Sequence, residues 1–150
     1  MKVGFIGLGR MGYALVPHLL HNQVELIVYC IQPAAVERLV TQGAVCATTV
    51  QELARCVDVV FTMLPGPKQA RAVVLGDLGV LSGLRTGAFL VELSTIDTDT
   101  VDELGRAARE KGVRFADAPV GRLAVHADRV SRYSCLAPQR QTALSLMPCC

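Results

Sequence analysis

The sequence predicts an α/β fold in which one doubly wound, mostly parallel sheet is covered by helices on both faces. Six short apolar segments alternate with segments of helical periodicity, a pattern typical of parallel sheets whose crossovers carry the helices. Right-handed crossovers give 3-2-1-4-5-6 as the expected strand order. A chain of 150 residues with 51% hydrophobic composition is large enough to bury the core of one such domain.

The first strand, residues 3–6, runs directly into the glycine turn Gly7-Leu8-Gly9-Arg10-Met11-Gly12 and then into a helical pattern. Gly7 would let the backbone turn sharply, Gly9 would let it approach a pyrophosphate, and Gly12 would let the helix pack close to the strand. The helix N-terminus offers unpaired N–H groups to phosphates. The motif alone is weak, but the strand before it and the helix after it favour dinucleotide binding over a plain glycine-rich turn.

The second and third units follow in order. Pro17 is expected to kink or shorten the first helix because proline interrupts helical hydrogen bonding. Residues 24–29 form the second strand, and a helix opens at Pro33 and closes at Gly43. Residues 43–46 give a short third strand. Thr49-x-x-Glu52 is a capping-box pattern that starts a brief helix.

The remaining units continue the alternation. Residues 57–64 are almost wholly apolar, as expected of a central strand covered on both faces, and a helix is predicted over residues 68–76. Residues 87–93 give the fifth strand. Thr100-x-x-Glu103 indicates a second capping box, starting a helix that ends before the sixth strand at residues 113–116. Because ligands of such sheets bind beyond the carboxyl ends of the strands, function is expected in the loops that follow them.

Composition excludes several classes of function. The net charge is +2 with both signs mixed along the chain and 5% aromatic residues, which argues against a nucleic-acid partner. No apolar stretch reaches the roughly 18 residues that span a bilayer, and the early glycine motif argues against a signal peptide. We therefore expect no membrane partner and an intracellular, cytoplasmic location. No metal site is predicted, because no His or Cys spacing fits one, and Cys30, Cys46 and Cys56 are expected to be small buried hydrophobes.

Four stretches at the strand ends carry a family resemblance. They are the glycine turn at 7–12, Met63-Leu64-Pro65, Glu92-Leu93-Ser94-Thr95 and Asp117-Ala118-Pro119-Val120. In this order they resemble the 3-hydroxyacid dehydrogenase family, which includes 3-hydroxyisobutyrate dehydrogenase and tartronate semialdehyde reductase, over residues 2 to about 129. The resemblance implies a Rossmann-type domain followed by a mostly helical second domain. It also implies hydride transfer between NAD or NADP and a small 3-hydroxyacid or its aldehyde.

The resemblance assigns cofactor-binding residues. The glycine turn would hold the pyrophosphate, Met63-Leu64-Pro65 would line the cofactor near its ribose, and Ser94-Thr95 would place Thr95 beside the nicotinamide ribose. Plainer interpretations are that Pro65 only ends a strand and that Thr95 only caps a helix. Where an acidic residue usually contacts the adenine ribose, the chain has Cys30-Ile31-Gln32. Neither an Asp nor an Arg is present there, so the choice between NAD and NADP stays open.

Substrate contacts are expected from Pro119, Val120, Gly121 and Arg122. Many family members carry Ser-Gly-Gly after the Asp-Ala-Pro-Val segment, whereas Gly121-Arg122 resembles the sulfolactaldehyde reductase branch, in which the arginine would grip an anionic head group. A solvated loop arginine is the plainer interpretation. The family's catalytic lysine lies in the second domain, so no catalytic residue is expected in this chain. The family's substrate is a small anionic hydroxyacid.

The sequence after about residue 129 stops resembling the family. The domain is therefore expected at 1–129, with an irregular tail at 130–150. A one-base frameshift near Asp128 and Arg129 would explain the tail, since suitable codons read in the neighbouring frame give Gly-Glu-Ser-Leu-Phe-Leu-Leu-Gly-Ala, which resembles the family's next strand. Without the second domain, apolar surface would be uncovered, and association into homo-oligomers is one expected consequence.

Two further interpretations of the whole chain remain open. It could be a free-standing dinucleotide-binding module without catalysis, or a remnant that binds no cofactor. Thermal stabilisation by cofactor separates the last of these from the others, because a ligand that binds the native state must raise its apparent stability.

Overall fold

The computed structural model describes residues 1–21 and 24–120. Its strands form one six-stranded sheet in which all neighbours are parallel. They are β1 Lys2–Ile6, β2 Glu25–Tyr29, β3 Val45–Cys46, β4 Val59–Thr62, β5 Phe89–Glu92 and β6 Arg114–Asp117. The order across the sheet is β3-β2-β1-β4-β5-β6. The predicted doubly wound α/β fold and its strand order are confirmed.

Helices connect the strands. In the described part of the chain they are α1 Arg10–His21, α2 Pro33–Val40, α3 Val50–Arg55, α4 Pro67–Leu75, α5 Val80–Gly83 and α6 Thr98–Glu110. Helix α5 was not predicted, because four residues are too few for helical periodicity to be recognised. The predicted boundary at residue 129 and the tail at 130–150 lie outside the described residues.

Apolar side chains cover both faces of the sheet. On one face Phe5 of β1 packs with Val16 of α1 and Leu39 of α2. On the other face Val60 of β4 packs with helices α3 to α6, including Leu104. Because side chains alternate between the two faces along a strand, both faces are used for packing. In the described part of the chain, the strand ends and the loops after them are therefore where a ligand of such a sheet is expected.

Pro17 lies inside α1, which continues from Arg10 to His21. The expectation that this proline shortens the helix is therefore wrong. Proline removes one backbone N–H, so the carbonyl of Tyr13 loses its usual helical donor. The buried face of the helix compensates for that loss, since Val16, next to the proline, is fully buried in the core.

Helix α6 begins before the position that the sequence predicted. Its N-cap is Asp97, whose carboxylate accepts hydrogen bonds from the Thr100 N–H at 2.9 Å and from the Thr100 hydroxyl at 2.7 Å. Glu103 instead forms an ion pair with Arg71 of α4 at 2.6 Å. The predicted capping box at Thr100 and Glu103 is therefore wrong, because an aspartate three residues earlier is the stronger cap.

The predicted cap of α3 is present in part. Thr49 is the N-cap, and its side chain accepts a hydrogen bond from the Glu52 N–H at 3.0 Å. The Glu52 carboxylate, however, accepts from the N–H of Thr48 at 2.9 Å. The reciprocal half of the capping box is thus displaced by one residue, to the residue before the cap.

The expected burial of the first three cysteines is wrong for two of them. Cys46 and Cys56 are exposed, and Cys30 is half-buried. Cys46 lies on β3, an edge strand with only one neighbour in the sheet, and Cys56 caps the C-terminus of α3. Elements at a sheet edge and at a helix end are covered on fewer sides, so residue type alone misjudges their burial.

Candidate functional site

The last residues of five strands stand side by side at one edge of the sheet. Ile6 is in register with Tyr29 on one side and with Thr62 on the other, Thr62 pairs with Glu92, and Glu92 pairs with Asp117. Because all the strands are parallel, their carboxyl ends open onto the same edge. We call this row the carboxyl edge. The loops that follow it bring the predicted site residues into neighbouring positions.

Gly7 joins three of these loops. Its φ of +98° lies in the left-handed region that favours glycine, and its N–H donates to the Tyr29 carbonyl at 3.1 Å. A Cβ at Gly7 would lie 2.1 Å from the carbonyl oxygen of Met63. The glycine turn therefore lies directly against the loop after β4. This is the switch point between β1 and β4, where ligands of doubly wound sheets bind.

Gly12 and Gly9 have opposite surroundings. A Cβ at Gly12 would lie 2.0 Å from the Gly7 carbonyl oxygen and 3.1 Å from Cε1 of Phe5, so the helix packs on the turn as closely as predicted. A Cβ at Gly9 would meet nothing within 4 Å. The Gly9 carbonyl accepts from the Tyr13 N–H at 2.8 Å, which puts Gly9 at the start of α1. The open space before this helix fits a pyrophosphate approaching the backbone N–H groups.

The other residues of the turn differ in what they can offer. Leu8 is 2% exposed and packs in the core, so only its backbone could face a ligand. Met11 is half-buried and Arg10 is exposed. An exposed guanidinium beside a helix N-terminus adds positive charge where phosphates would lie.

The loop after β2 begins with Cys30-Ile31-Gln32. Ile31 is 86% exposed, and the exposed Gln32 directs its backbone N–H at the Cys30 sulfur, 3.5 Å away. The half-buried Cys30 follows Tyr29, which is joined to Gly7. The segment thus lies beside the glycine turn and carries no charged side chain that would distinguish a ribose hydroxyl from a 2′-phosphate.

A hydrogen bond joins the loops after β4 and β5. The Leu64 N–H donates to the Ser94 hydroxyl at 2.7 Å. Ser94 is buried, whereas Thr95 and Pro65 are exposed at the carboxyl edge. Because Asp97 caps α6, the interpretation of Thr95 as the cap of that helix is wrong.

Glu92 was not assigned a role from the sequence, yet it lies fully buried in the middle of this edge. Its Oε2 accepts from the Thr62 hydroxyl at 2.8 Å, and its Oε1 accepts from the Ser94 N–H at 2.8 Å. Burial raises the pKa of Glu92, hydrogen bonds from Ser94 and Thr62 oppose the rise, and the charge of Asp117 adds to it. The sequence did contain a signal for this residue, because Glu92 is a carboxylate at the end of an otherwise apolar strand.

Asp117 is the neighbour of Glu92 on β6. Burial raises the pKa of Asp117 as well, and its Oδ1 is buried without a hydrogen-bond partner in the described part of the chain. Two carboxyl groups with raised pKa values therefore lie beside each other at the strand ends. Raised carboxyl pKa values are common at functional sites, because such sites bury polar groups.

The predicted substrate segment begins at the same edge. The Ala118 N–H donates to the Glu92 carbonyl at 2.8 Å, and the Val120 N–H donates to the Leu93 carbonyl at 3.3 Å. Pro119 and Val120 are half-buried beside the loop after β5. Gly121 and Arg122 lie outside the described residues, so a substrate role for Arg122 stays a prediction.

Other features of the described residues do not compete with this edge. A groove of about 760 Å³ is lined by Pro67, Lys68, Arg71, Ala72, Leu75 and Gly76, and it includes none of the predicted site residues. Within residues 1–21 and 24–120 no three His, Cys, Asp or Glu side chains are grouped to hold a metal ion. The helices of the same ranges include none long and apolar enough to cross a membrane.

Residues 2–131 match the family model described as the NAD binding domain of 6-phosphogluconate dehydrogenase. Among curated relatives, human cytokine-like nuclear factor N-PAC is 38% identical over 119 residues, which are 79% of this chain and 22% of that protein. The 2-(hydroxymethyl)glutarate dehydrogenase of Eubacterium barkeri is 35% identical over 120 residues, 80% of this chain and 40% of that protein. The chain thus spans less than half the length of these relatives.

Solved structures give the same picture. Psf3 in complex with NADP+ and 2-OPP superposes with a TM-score of 0.80 at 34% identity, over 85% of this chain and 45% of that one. The 3-hydroxyisobutyrate dehydrogenase of Salmonella typhimurium superposes with a TM-score of 0.80 at 28% identity, over 86% of this chain and 45% of that one.

Proposed function

Since the chain belongs to the family of the NAD binding domain of 6-phosphogluconate dehydrogenase, with the 3-hydroxyacid dehydrogenases as its relatives, we propose that its carboxyl edge binds NAD or NADP. The observation that carries this proposal is the contrast between Gly9 and its neighbours. Added Cβ atoms at Gly7 and Gly12 would collide with backbone, whereas Gly9 faces open space at the start of α1. A turn that is rigid on both sides of an opening suits a phosphate that must approach the backbone closely.

Residues along the edge would hold the parts of the cofactor in order. The glycine turn would hold the pyrophosphate through backbone N–H groups, with Arg10 adding positive charge. Cys30, Ile31 and Gln32 would border the adenine ribose. Met63-Leu64-Pro65 and Ser94-Thr95 would border the nicotinamide ribose, since a hydrogen bond from Leu64 to Ser94 joins those two loops.

We propose that the longer protein carrying this domain is an oxidoreductase for small 3-hydroxyacids or their aldehydes. The bound nicotinamide would supply the hydride donor or acceptor. Pro119, Val120, Gly121 and Arg122 would contact the anionic substrate, and Arg122 would pair with its head group. The proton donor would come from outside this chain, so the chain alone should bind the cofactor without turnover. The protein would act in the cytoplasm.

A second candidate function is cofactor binding without catalysis. It is favoured by the match to cytokine-like nuclear factor N-PAC, which is 38% identical over 119 residues. The name of that protein denotes no enzyme. In that case the domain would sense or sequester the dinucleotide. The carboxyl edge would have the same occupant, and only the chemistry would differ.

Calorimetric titration of the purified chain with NADH and NADPH, separately, tests the binding proposal. We expect saturable binding of at least one of them by this chain and none by the Gly9→Val variant. If neither cofactor binds a folded chain, the proposal is wrong. A gene whose reading frame is restored near residue 129 then separates the two candidates, because only a dehydrogenase would oxidise isobutyrate-derived, glyoxylate-derived or sulfonated hydroxyacids.

The tail needs an experiment of its own. We propose that residues 1–129 are the cofactor domain and that residues 130–150 are read out of frame. Sequencing the gene checks this directly. Codons that do not give an apolar strand in the neighbouring frame would contradict it.

A further inference from the structure

A buried network of hydrogen bonds connects residues at the carboxyl edge. It starts at the Thr62 hydroxyl, which donates to Glu92 Oε2 at 2.8 Å, and continues from Glu92 Oε1 to the Ser94 N–H at 2.8 Å. The Ser94 hydroxyl then accepts from the Leu64 N–H at 2.7 Å. Thr62, Glu92 and Ser94 are each at most 1% exposed. These contacts therefore form without competition from solvent.

These contacts join two strand ends and the loops that follow them. Thr62 ends β4 and Leu64 lies in the loop after it, while Glu92 ends β5 and Ser94 lies in the loop after that strand. The carboxylate of Glu92 consequently joins both strand ends. Ser94, which is bonded to that carboxylate, is in turn bonded to the backbone of Leu64. A group that accepts hydrogen bonds from two elements holds them at one separation, because moving either would leave a buried polar atom unsatisfied.

Stability alone does not explain a carboxyl group at this position. Ile6, at the end of β1 in the same register row, packs in the apolar core, whereas Glu92 and its direct neighbours Thr62 and Asp117 are polar. Burying a carboxyl group costs free energy that an apolar side chain of similar size would not. What an apolar side chain lacks is directional bonding to Thr62 and Ser94.

We propose that Glu92 is a positioning residue for the nicotinamide end of the cofactor cleft. Through Thr62 and Ser94 it sets the separation between the 63–65 loop and the 94–95 loop. The inference rests on the proposed function. It concerns only the nicotinamide end, because the pyrophosphate end is shaped by the contacts among Gly7, Gly12 and Met63.

Binding of NADH and of ADP to the same variants tests this proposal. ADP has the adenosine and the two phosphates but neither the second ribose nor the nicotinamide. In Ser94→Ala and Glu92→Ala we expect NADH affinity to fall about three- to tenfold, the loss of one or two buried hydrogen bonds. ADP affinity should stay within about twofold of the wild-type value by the same measure.

The Glu92→Gln variant provides the rescue. Its amide oxygen can accept from the Ser94 N–H, and its NH₂ group can donate to the Thr62 hydroxyl, which can turn to the Val91 carbonyl 3.4 Å away. NADH affinity should return to the wild-type value. A purely space-filling role would instead be met equally well by Glu92→Met.

Ser82→Ala is the control. Ser82 is a half-buried serine that, like Ser94, has hydrogen bonds on both sides: it donates to the Gly79 carbonyl at 2.8 Å and accepts from Gln51 at 3.0 Å, but it lies on α5. This variant should leave both affinities unchanged. Equal losses for NADH and ADP, or no loss in Ser94→Ala, would overturn the inference. If the wild-type chain binds neither ligand, the proposed function fails first.

Discussion

Replacement of Gly9 by valine separates ligand binding from folding. A Cβ at Gly9 meets nothing within 4 Å, and the residue has no positive φ that would strain a side chain. The unliganded protein should therefore lose little stability, at most about 1 kcal/mol, because valine is a poorer residue than glycine at the start of a helix. The added isopropyl group would nevertheless fill the space through which a pyrophosphate reaches the backbone.

The size of the effect follows from ligand linkage. At a cofactor concentration of about 100 Kd the wild-type protein gains about 2.7 kcal/mol. For a chain of this size each kcal/mol raises Tm by about 2–4 °C, so Tm should rise by about 5–11 °C. The Gly9→Val variant should show no rise. Thermal unfolding followed by circular dichroism at several cofactor concentrations measures both quantities.

Gly12→Ala is the informative counterpart. Its methyl group would lie 2.0 Å from the Gly7 carbonyl oxygen, which is backbone and cannot rotate away. This variant should unfold at a lower temperature even without cofactor, because an overpacked site costs roughly 1–3 kcal/mol or more.

For Gly9→Val, an unchanged rise of Tm with cofactor would refute the assignment of the pyrophosphate site.

Three further predictions concern stability. Burial raises the pKa of Glu92, so its contribution to stability is complete below the ordinary carboxyl pKa and is lost as pH rises toward the raised value. Over that interval the free energy of unfolding of Glu92→Gln, measured in urea, should rise relative to that of the wild type by about 1.4 kcal/mol for each pKa unit of the shift. A difference that does not depend on pH would contradict this. Leu104→Ala, at a fully buried position, should cost about 2–5 kcal/mol in the same assay, whereas Leu78→Ala, at a position 69% exposed, should cost less than about 0.5 kcal/mol. Hydrogen bonds from Thr100 hold the pKa of Asp97 below its usual range, so Asp97→Ala should destabilise α6 above the ordinary aspartate pKa and lose its effect as pH falls through the lowered value. Asp99→Ala, two residues after the cap, serves as its control, and equal effects of the two variants would contradict the capping role.

Much of the fold could be predicted because it depends on local pattern. Apolar runs bounded by glycine and proline mark strands, and the handedness of crossovers leaves few ways to order them. The same logic placed the candidate loops, since parallel strands end at a common edge. Gly7 was correctly expected to turn the backbone, since its φ is +98°, and Gly12 to let the helix pack close to the turn, because both features are set within one strand, turn and helix.

The errors arose where several local signals competed. Asp97 and Thr100 are both good caps; Asp97 is the stronger one, and Glu103, the partner that a capping box at Thr100 needs, is paired with Arg71 of α4 instead. Pro17 disfavours a helix locally, yet α1 continues because its apolar face is buried. Local propensities of about 1–3 kcal/mol are smaller than the summed packing of a helix against a sheet.

The sequence by itself determined the order of the strands, the glycine turn and the family, because each is written in residues that are close together along the chain. Only the tertiary structure decided what Glu92 contacts. Its partner Thr62 lies 30 positions earlier in the sequence, and Leu64 lies 30 positions before its own partner Ser94. Hydrogen bonds over such separations depend on how the strands align, which residues close together in the sequence do not determine. The open space at Gly9, where an added Cβ would meet nothing within 4 Å, likewise became apparent only in the folded structure, because it depends on where the surrounding elements pack.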